Sequence, residues 1–310
     1  MTDNVSVQTP LADVRGKTAF ITGGSSGIGL GMARAFSAAG MKVVFTFMRP
    51  EHRDAALAQF PANNAGVHAI RLDTTDREGF VRAADEAEAR FGHVHLLANN
   101  AGVGLPAHIS SVSYQDWDWA MDVNVNGVFN GIHTFLPRML AHGEGAHIVT
   151  TSSSGGLIAG SLGVYCATKF AVVGLMESLR VELQGKNIGA SVFCPGLVRT
   201  QIFDSDRNRP AAHGRSSQGA VEPKGLPGAP PVDLMASAMD ALEAGEKVLA
   251  GVRNNDLYIL SHGEFAKAVS DRAAAMAASF SKDPVPPMRQ AATDTFTPDI
   301  YRVEVARKRS

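Results

Sequence analysis

The sequence predicts an α/β fold: an open, doubly wound parallel sheet of about seven strands, with helices on both faces. Three observations predict it. Short, β-branched, nearly unbroken apolar runs recur along the chain, helical patterns separate them, and a glycine-rich turn joins the first run to the first helix. Strands that are apolar throughout belong in a parallel sheet covered on both faces. Strand–helix alternation with right-handed crossovers winds such a sheet, and ligands bind beyond the strands' carboxyl ends, where strand order switches.

The predicted strands are TAFIT (18–22), KVVFTF (42–47), VHAIRL (67–72), VHLLA (94–98), HIVTT (147–151), ASVFC (190–194) and DLYIL (256–260). Ile28, Met32, Phe36 and Ala39 share one face of the first helix, and Gly40 stands where a C-terminal cap belongs. Further helices are expected over REGFVRAADEAEARFG, the long stretch 114–141, 163–185 and 263–281. Residues 1–16 form an N-terminal extension to a single domain over 17–281, and 282–310 form a tail too poor in apolar residues to pack alone, hence frayed or laid on a partner subunit. The stretch 203–233 is rich in Gly, Pro, Ser and charge. It leaves a strand at the ligand-binding edge, which predicts a mobile substrate lid.

Composition narrows the function classes. With 45% hydrophobic and 19% charged residues, the 310-residue chain suits a soluble globular enzyme rather than a disordered one. A net charge of −1 and the lack of a basic stripe argue against nucleic acid and anionic membranes. Cys166 and Cys194 are too few for a disulfide framework and have no metal-ligand spacing, so no metal is expected. The polar N-terminus has no signal-peptide core and no run approaches a membrane span, so a cytoplasmic protein is expected. His93 and His95 share a strand face without a third ligand at sensible spacing and read as structural.

TGGSSGIG (22–29) sits between strand and helix. Gly23 permits the tight turn, Gly27 lets a pyrophosphate approach the backbone, and Gly29 lets helix and strand pack closely. The helix N-terminus then offers free N–H groups and a positive dipole end to phosphates. Past the second strand, Phe47 stands near the position where a carboxylate would bind an adenosine ribose, and Arg49 follows two residues on. With no acid to repel a 2′-phosphate and a guanidinium within reach, NADP(H) is favoured, NAD(H) remaining open. Asp73 ends the third strand, placed to accept from an adenine amino group, and NNAG (99–102) ends the fourth.

Tyr165 and Lys169 lie four apart on one helix face, behind Ser152, Ser153 and Ser154. A phenol of pKa roughly 10 is a poor base at neutral pH. A nearby ammonium favours the phenolate, so the pair can deprotonate an alcohol or protonate a carbonyl oxygen, and a strand-end serine can steady the developing charge.

TGGSSGIG, NNAG, VNVNG, TTSSSGG, YCATK and PGLVRT, in that order, resemble the short-chain dehydrogenase/reductase family from about Lys17 to Phe203. The resemblance implies a Rossmann-type sheet, a homo-oligomer (dimer or tetramer), Tyr165 as acid/base, and Lys169 lowering its pKa while holding the nicotinamide ribose. Asn124 would hold a water of the proton relay. The cofactor would contact Gly23, Ser25, Ser26, Gly27, Ile28, Gly29, Arg49, Asp73, Asn100, Ala101, Gly102, Pro195, Gly196, Val198 and Thr200. Counting back from Tyr165 at the commonest family spacing lands on Ser152. Aligning the strand end lands on Ser153, which is taken as the catalytic serine with Ser152 as the alternative. Trp117 and Trp119 would pack a helix often used for subunit contacts.

These residues predict an NADP(H)-dependent alcohol dehydrogenase/ketoreductase acting on a bulky hydrophobic or aryl ketone. Leu105, Leu157, Leu162, Leu197 and Phe203 would supply apolar walls. The second half also loosely resembles bacterial enzymes that accept bulky ketones, and those that oxidise benzylic alcohols of aryl ethers. An NAD-dependent benzylic alcohol dehydrogenase is therefore the alternative, and a non-catalytic dinucleotide-sensing regulator the alternative of another class. The glycine spacing and the NNAG turn argue against a sugar epimerase.

Overall fold

The computed structural model describes residues 9–61, 64–105, 107–160, 162–210, 214 and 235–309. Seven parallel strands form one sheet in the order β3-β2-β1-β4-β5-β6-β7. They are β1 (Thr18–Ile21), β2 (Lys42–Phe47), β3 (Val67–Arg71), β4 (Val94–Asn99), β5 (Ala146–Thr151), β6 (Ile188–Phe193) and β7 (Tyr258–Ile259). The order reverses between β1 and β4, so the crevice for a ligand opens at their carboxyl ends.

Alternation along β1 divides the core. Phe20 faces a layer with Phe80 of α3 (Arg77–Phe91), Phe135 of α5 (Gly127–His142) and Met176 of α6 (Gly163–Glu182). Ala19 and Ile21 face the other, against Met32 and Phe36 of α1 (Gly27–Ala38) and Val248 of α7 (Ala241–Asn254). Leu11 and Val14 of the N-terminal extension join this second core. Side chains start three of the helices: Asp76 accepts from the Gly79 N–H before α3, Ser113 from the Asp116 N–H before α4 (Tyr114–Met121), and Asp240 from the Leu242 N–H before α7.

Four features differ from expectation. The helix predicted over 114–141 is two helices, α4 and α5, joined by a π-helical turn at Asp122–Asn126, which a 3.6-residue period does not reveal. The last strand shrinks to two residues at the sheet edge. An unforeseen helix, α2 (Pro50–Leu57), buries only Ala56 and so leaves no apolar stripe to read.

The tail is neither frayed nor wholly detached from its own chain. After α8 (Ala266–Ala278) and α9 (Pro287–Phe296), α10 (Ile300–Arg309) returns to the body and buries Ile300 and Glu304. Its anchors are polar: Arg307 bonds Asp256, and the Tyr301 hydroxyl donates to Glu177 at 3.0 Å. Hydrophobic pattern could not show them. Of the 203–233 stretch, 203–210 and 214 are described; the rest of the predicted lid lies outside the described residues. No helix among the described residues is long and apolar enough to cross a membrane.

Candidate active site

A cleft of about 510 Å³ runs along the carboxyl ends of the strands, from Asp73 past Tyr165 to Phe265. At one end lies the glycine turn. The Ser26 side chain makes no capping bond to α1, so the helix start keeps its N–H groups for a ligand. Gly27 has φ +51°, and a Cβ there would meet Thr200 Cγ2 at 2.9 Å. Gly29 lies behind the turn, where a Cβ would fall 2.3 Å from the Gly23 carbonyl oxygen. Threonines brace this cradle. Thr22 Oγ1 accepts from the N–H groups of Asn100 (2.9 Å) and Ala101 (3.0 Å), and Thr46 Oγ1 from that of Gly23 (3.0 Å).

The structure brings most of the predicted cofactor residues to the cleft. Gly23, Ser25, Ser26, Gly27, Ile28, Asp73, Asn100, Ala101, Gly102, Pro195, Gly196, Val198 and Thr200 all line it. Asn100 also spends its side-chain amide on the Thr22 and Gly23 carbonyls. Arg49 is not among the lining residues. It caps α2 and donates instead to the Arg207 carbonyl, with Glu51 at 3.9 Å. A tight turn that admits no Cβ, an uncapped helix start and Asp73 at the far end fit a dinucleotide.

At the centre of the cleft the three serines separate. Ser152 is buried and donates to the Lys169 carbonyl at 2.8 Å. Ser153, extended at the strand end, accepts from the Gly155 N–H at 3.1 Å, and a Cβ on Gly155 would lie 3.6 Å from both Ser153 Oγ and Tyr165 Cε1. The geometry therefore places Ser153, not Ser152, beside the tyrosine. Lys169 Nζ donates to the Thr151 carbonyl at 3.1 Å and lies 5.6 Å from the centre of the Tyr165 ring.

Burial dominates the electrostatics. It raises the Tyr165 pKa, against the opposing influence of the Ser153 hydroxyl, and lowers that of Lys169 to about 8. In this pocket the group that opposes burial at the phenol is Ser153 rather than Lys169.

Asn124, in the π-helical turn, is fully buried. Its Oδ1 accepts from the Val103 N–H at 2.8 Å, and its Nδ2 donates to the Val103 carbonyl and Thr168 Oγ1. It underpins the floor at Gly102, where a Cβ would lie 3.2 Å from Asn124 Oδ1 and 3.5 Å from Lys169 Nζ.

At the substrate end, Leu105, Leu162, Leu197 and Phe203 line the cleft as predicted, whereas Leu157 packs against the core. Trp119, expected to pack a helix used for subunit contacts, is buried and also lines the cleft. Val123, Ile202 and Phe265 join it. Val123 opens the VNVNG motif and Ile202 lies two residues past PGLVRT, but an apolar side chain at either place reads equally well as core, and Phe265 lies far from every motif. His95, read as structural, bonds Glu144 at 2.9 Å and the Thr18 N–H, away from the cleft.

Comparison with known proteins agrees with this geometry. Residues 17–211 match the family described as short chain dehydrogenase. A C alpha-dehydrogenase from Sphingobium sp. strain SYK-6 is 40% identical over 263 residues, 82% of this chain and 83% of its own. The structure of a short-chain dehydrogenase from Novosphingobium aromaticivorans superposes with TM-score 0.77 at 35% identity, over 95% of this chain and 99% of that one. A short chain dehydrogenase/reductase from Burkholderia phymatum in complex with NAD gives TM-score 0.78 at 32% identity, over 88% and 99%.

Proposed function

The chain belongs to the short-chain dehydrogenase/reductase family, NAD(P)-dependent oxidoreductases of alcohol and ketone groups, and we propose that it oxidises a secondary benzylic alcohol to the ketone with NAD⁺. The observation that carries this is the Ser153–Tyr165–Lys169 group on the floor of a cleft walled by Trp119, Phe203 and Phe265. Aromatic walls favour an aryl substituent beside the carbinol carbon, and the likeness to a C alpha-dehydrogenase supports the same position of attack.

When bound, NAD⁺ supplies the acceptor for the hydride that leaves the carbinol carbon. The remaining work falls to the protein. Tyr165 takes the hydroxyl proton as the C–H bond breaks. Ser153 has its lone pair engaged by the Gly155 N–H and offers its own hydrogen to the substrate oxygen. Lys169, held by the Thr151 carbonyl, presents its ammonium beneath the tyrosine and toward the ribose position. The Asn124 side chain is committed to Val103 and Thr168, which ties the π-helical turn to the cleft floor and to α6.

NAD⁺ is preferred because Arg49 is engaged at the Arg207 carbonyl and does not line the cleft, and because a relative was solved with NAD. A second reading, NADP(H), is favoured by Phe47 and Met48, which leave no acid at the end of β2. The exposed Tyr114, Trp117, Phe129 and Leu140 of α4 and α5 support a homo-oligomer.

Arylalkanols and their ketones, assayed with both cofactors on the wild type and Arg49→Ala, test the reading. Benzylic alcohols with NAD⁺ are expected to give the highest kcat/KM, with Arg49→Ala unchanged. Turnover confined to aliphatic or sugar alcohols refutes the substrate class. A loss in Arg49→Ala specific to NADP(H) assigns that arginine to the 2′-phosphate.

A further inference from the structure

After β6 the chain turns over the substrate end as a short strap, Ile202–Asn208. Two stitches hold it. At its start, the Gly104 N–H donates to Ser205 Oγ at 2.8 Å, and that hydroxyl donates to the Ile202 carbonyl at 2.6 Å. At its end, Arg209 carries its guanidinium into the protein, 2.6 Å from Asp116 of α4, with side chains only 3% and 0% exposed. The guanidinium lies 4.7 Å from the centre of the Trp119 ring, and the more exposed Asp206 stands 3.6 Å away. Ile202, Phe203 and Asn208 of the strap line the cleft, as does Trp119.

A buried ion pair is a poor source of net stability, because desolvation of both charges offsets their attraction. What it does supply is a single geometry. A guanidinium held against a carboxylate and over an aromatic face at once ties three groups together. Here those groups are α4, a cleft-lining tryptophan and the end of the strap.

We propose that Asp116 and Arg209 are positioning residues that hold the strap against Trp119 and so set the bulk of alcohol the enzyme accepts. The inference rests on the reading of the cleft as an aryl-alcohol site. A small alcohol is held at Ser153 and Tyr165 alone. A second bulky substituent needs Ile202 and Phe203 in place, and these stand where the clamp puts them.

The test uses the full chain. Arg209→Lys keeps the buried charge but removes the guanidinium that lies over Trp119. Asp116→Leu/Arg209→Met removes both charges and leaves neither ion unpaired. Each is assayed with 1-phenylethanol and with a 1,2-diarylethanol. The diaryl ketone is also titrated without turnover, by quenching of Trp119 emission in a Trp117→Phe background. The clamp predicts a loss of about tenfold or more in kcat/KM for the bulky alcohol, carried by KM, as expected for altered pocket contacts. The ketone Kd should weaken in parallel, with the small alcohol changed less than about twofold. An unchanged bulky-to-small ratio in Arg209→Lys overturns the proposal, however the double variant folds. So does an equal loss on both alcohols, which marks a structural role. A wild type inactive on both alcohols instead refutes the substrate reading, and the ketone titration still reports on the clamp.

Discussion

Ser153 Oγ and the Tyr165 ring flank the same point, each 3.6 Å from where a Cβ on Gly155 would sit, while the neighbouring Ser152 turns its hydroxyl the other way, to the Lys169 carbonyl. One residue of register separates a group beside the reacting oxygen from a group that braces a helix. Ser153→Ala should lower kcat by about 10²–10³, the usual effect of removing one donor to a developing oxyanion. Ser152→Ala should keep most of the activity and lower stability by about 1 kcal/mol, through a lost buried hydrogen bond. Steady-state kinetics and denaturant melts on both variants check the assignment, and reversed effects would transfer the role to Ser152.

Tyr165→Phe removes the proton acceptor and leaves the cradle intact. Turnover should fall to background while NADH still binds, read by its fluorescence on titration. Substantial residual oxidation would show that another group takes the proton.

Gly29→Ala places a methyl carbon 2.3 Å from the Gly23 oxygen and 2.5 Å from Asn100 Nδ2. The turn must open to admit it. Cofactor affinity should drop by at least about tenfold, equivalent to 1.4 kcal/mol, together with the melting temperature. Calorimetric titration that finds unaltered affinity would refute the turn as the pyrophosphate cradle.

Lys169 is held for function at the expense of stability. Burial lowers its pKa from 10.5 to about 8, so between those values the unfolded chain binds a proton that the native protein does not. Its contribution therefore improves as pH rises from about 8 to 10.5. Lys169→Met should abolish activity yet raise the melting temperature at pH 7, by roughly 2–4 °C per kcal/mol gained. The gain should shrink toward pH 10, and a variant equally stable at both pH values would argue against a buried ammonium.

His147 gives the opposite edge of the pH range. It is fully buried, and burial lowers its pKa from 6.5 to about 3. The native protein keeps it neutral where the unfolded chain takes up a proton, so stability falls as pH drops from 6.5 toward 3. His147→Gln should flatten that part of the stability curve; an unchanged slope would place acid sensitivity elsewhere.

Much of the fold was legible because its signals are local. Apolar strands such as KVVFTF and the turn TGGSSGIG carry their structure within a few residues, and all seven expected strands appear in one parallel sheet. The π-helical turn at Asp122–Asn126 and the docking of α10 escaped because neither follows an apolar period. One is a local change of helical hydrogen bonding and the other a set of ion pairs across the fold.

The sequence by itself determined the strand order's raw material, the glycine cradle and the Tyr165–Lys169 spacing, since each depends on residues adjacent along the chain or one helical turn apart. Only the tertiary structure decided which serine meets the tyrosine, where Arg49 points and that Trp119 faces the cleft beneath Arg209. Those outcomes depend on side-chain direction and on contacts between segments as far apart as α4 and the strap after β6. There burial and pairing of charges set the geometry, and spacing along the chain carries no record of it.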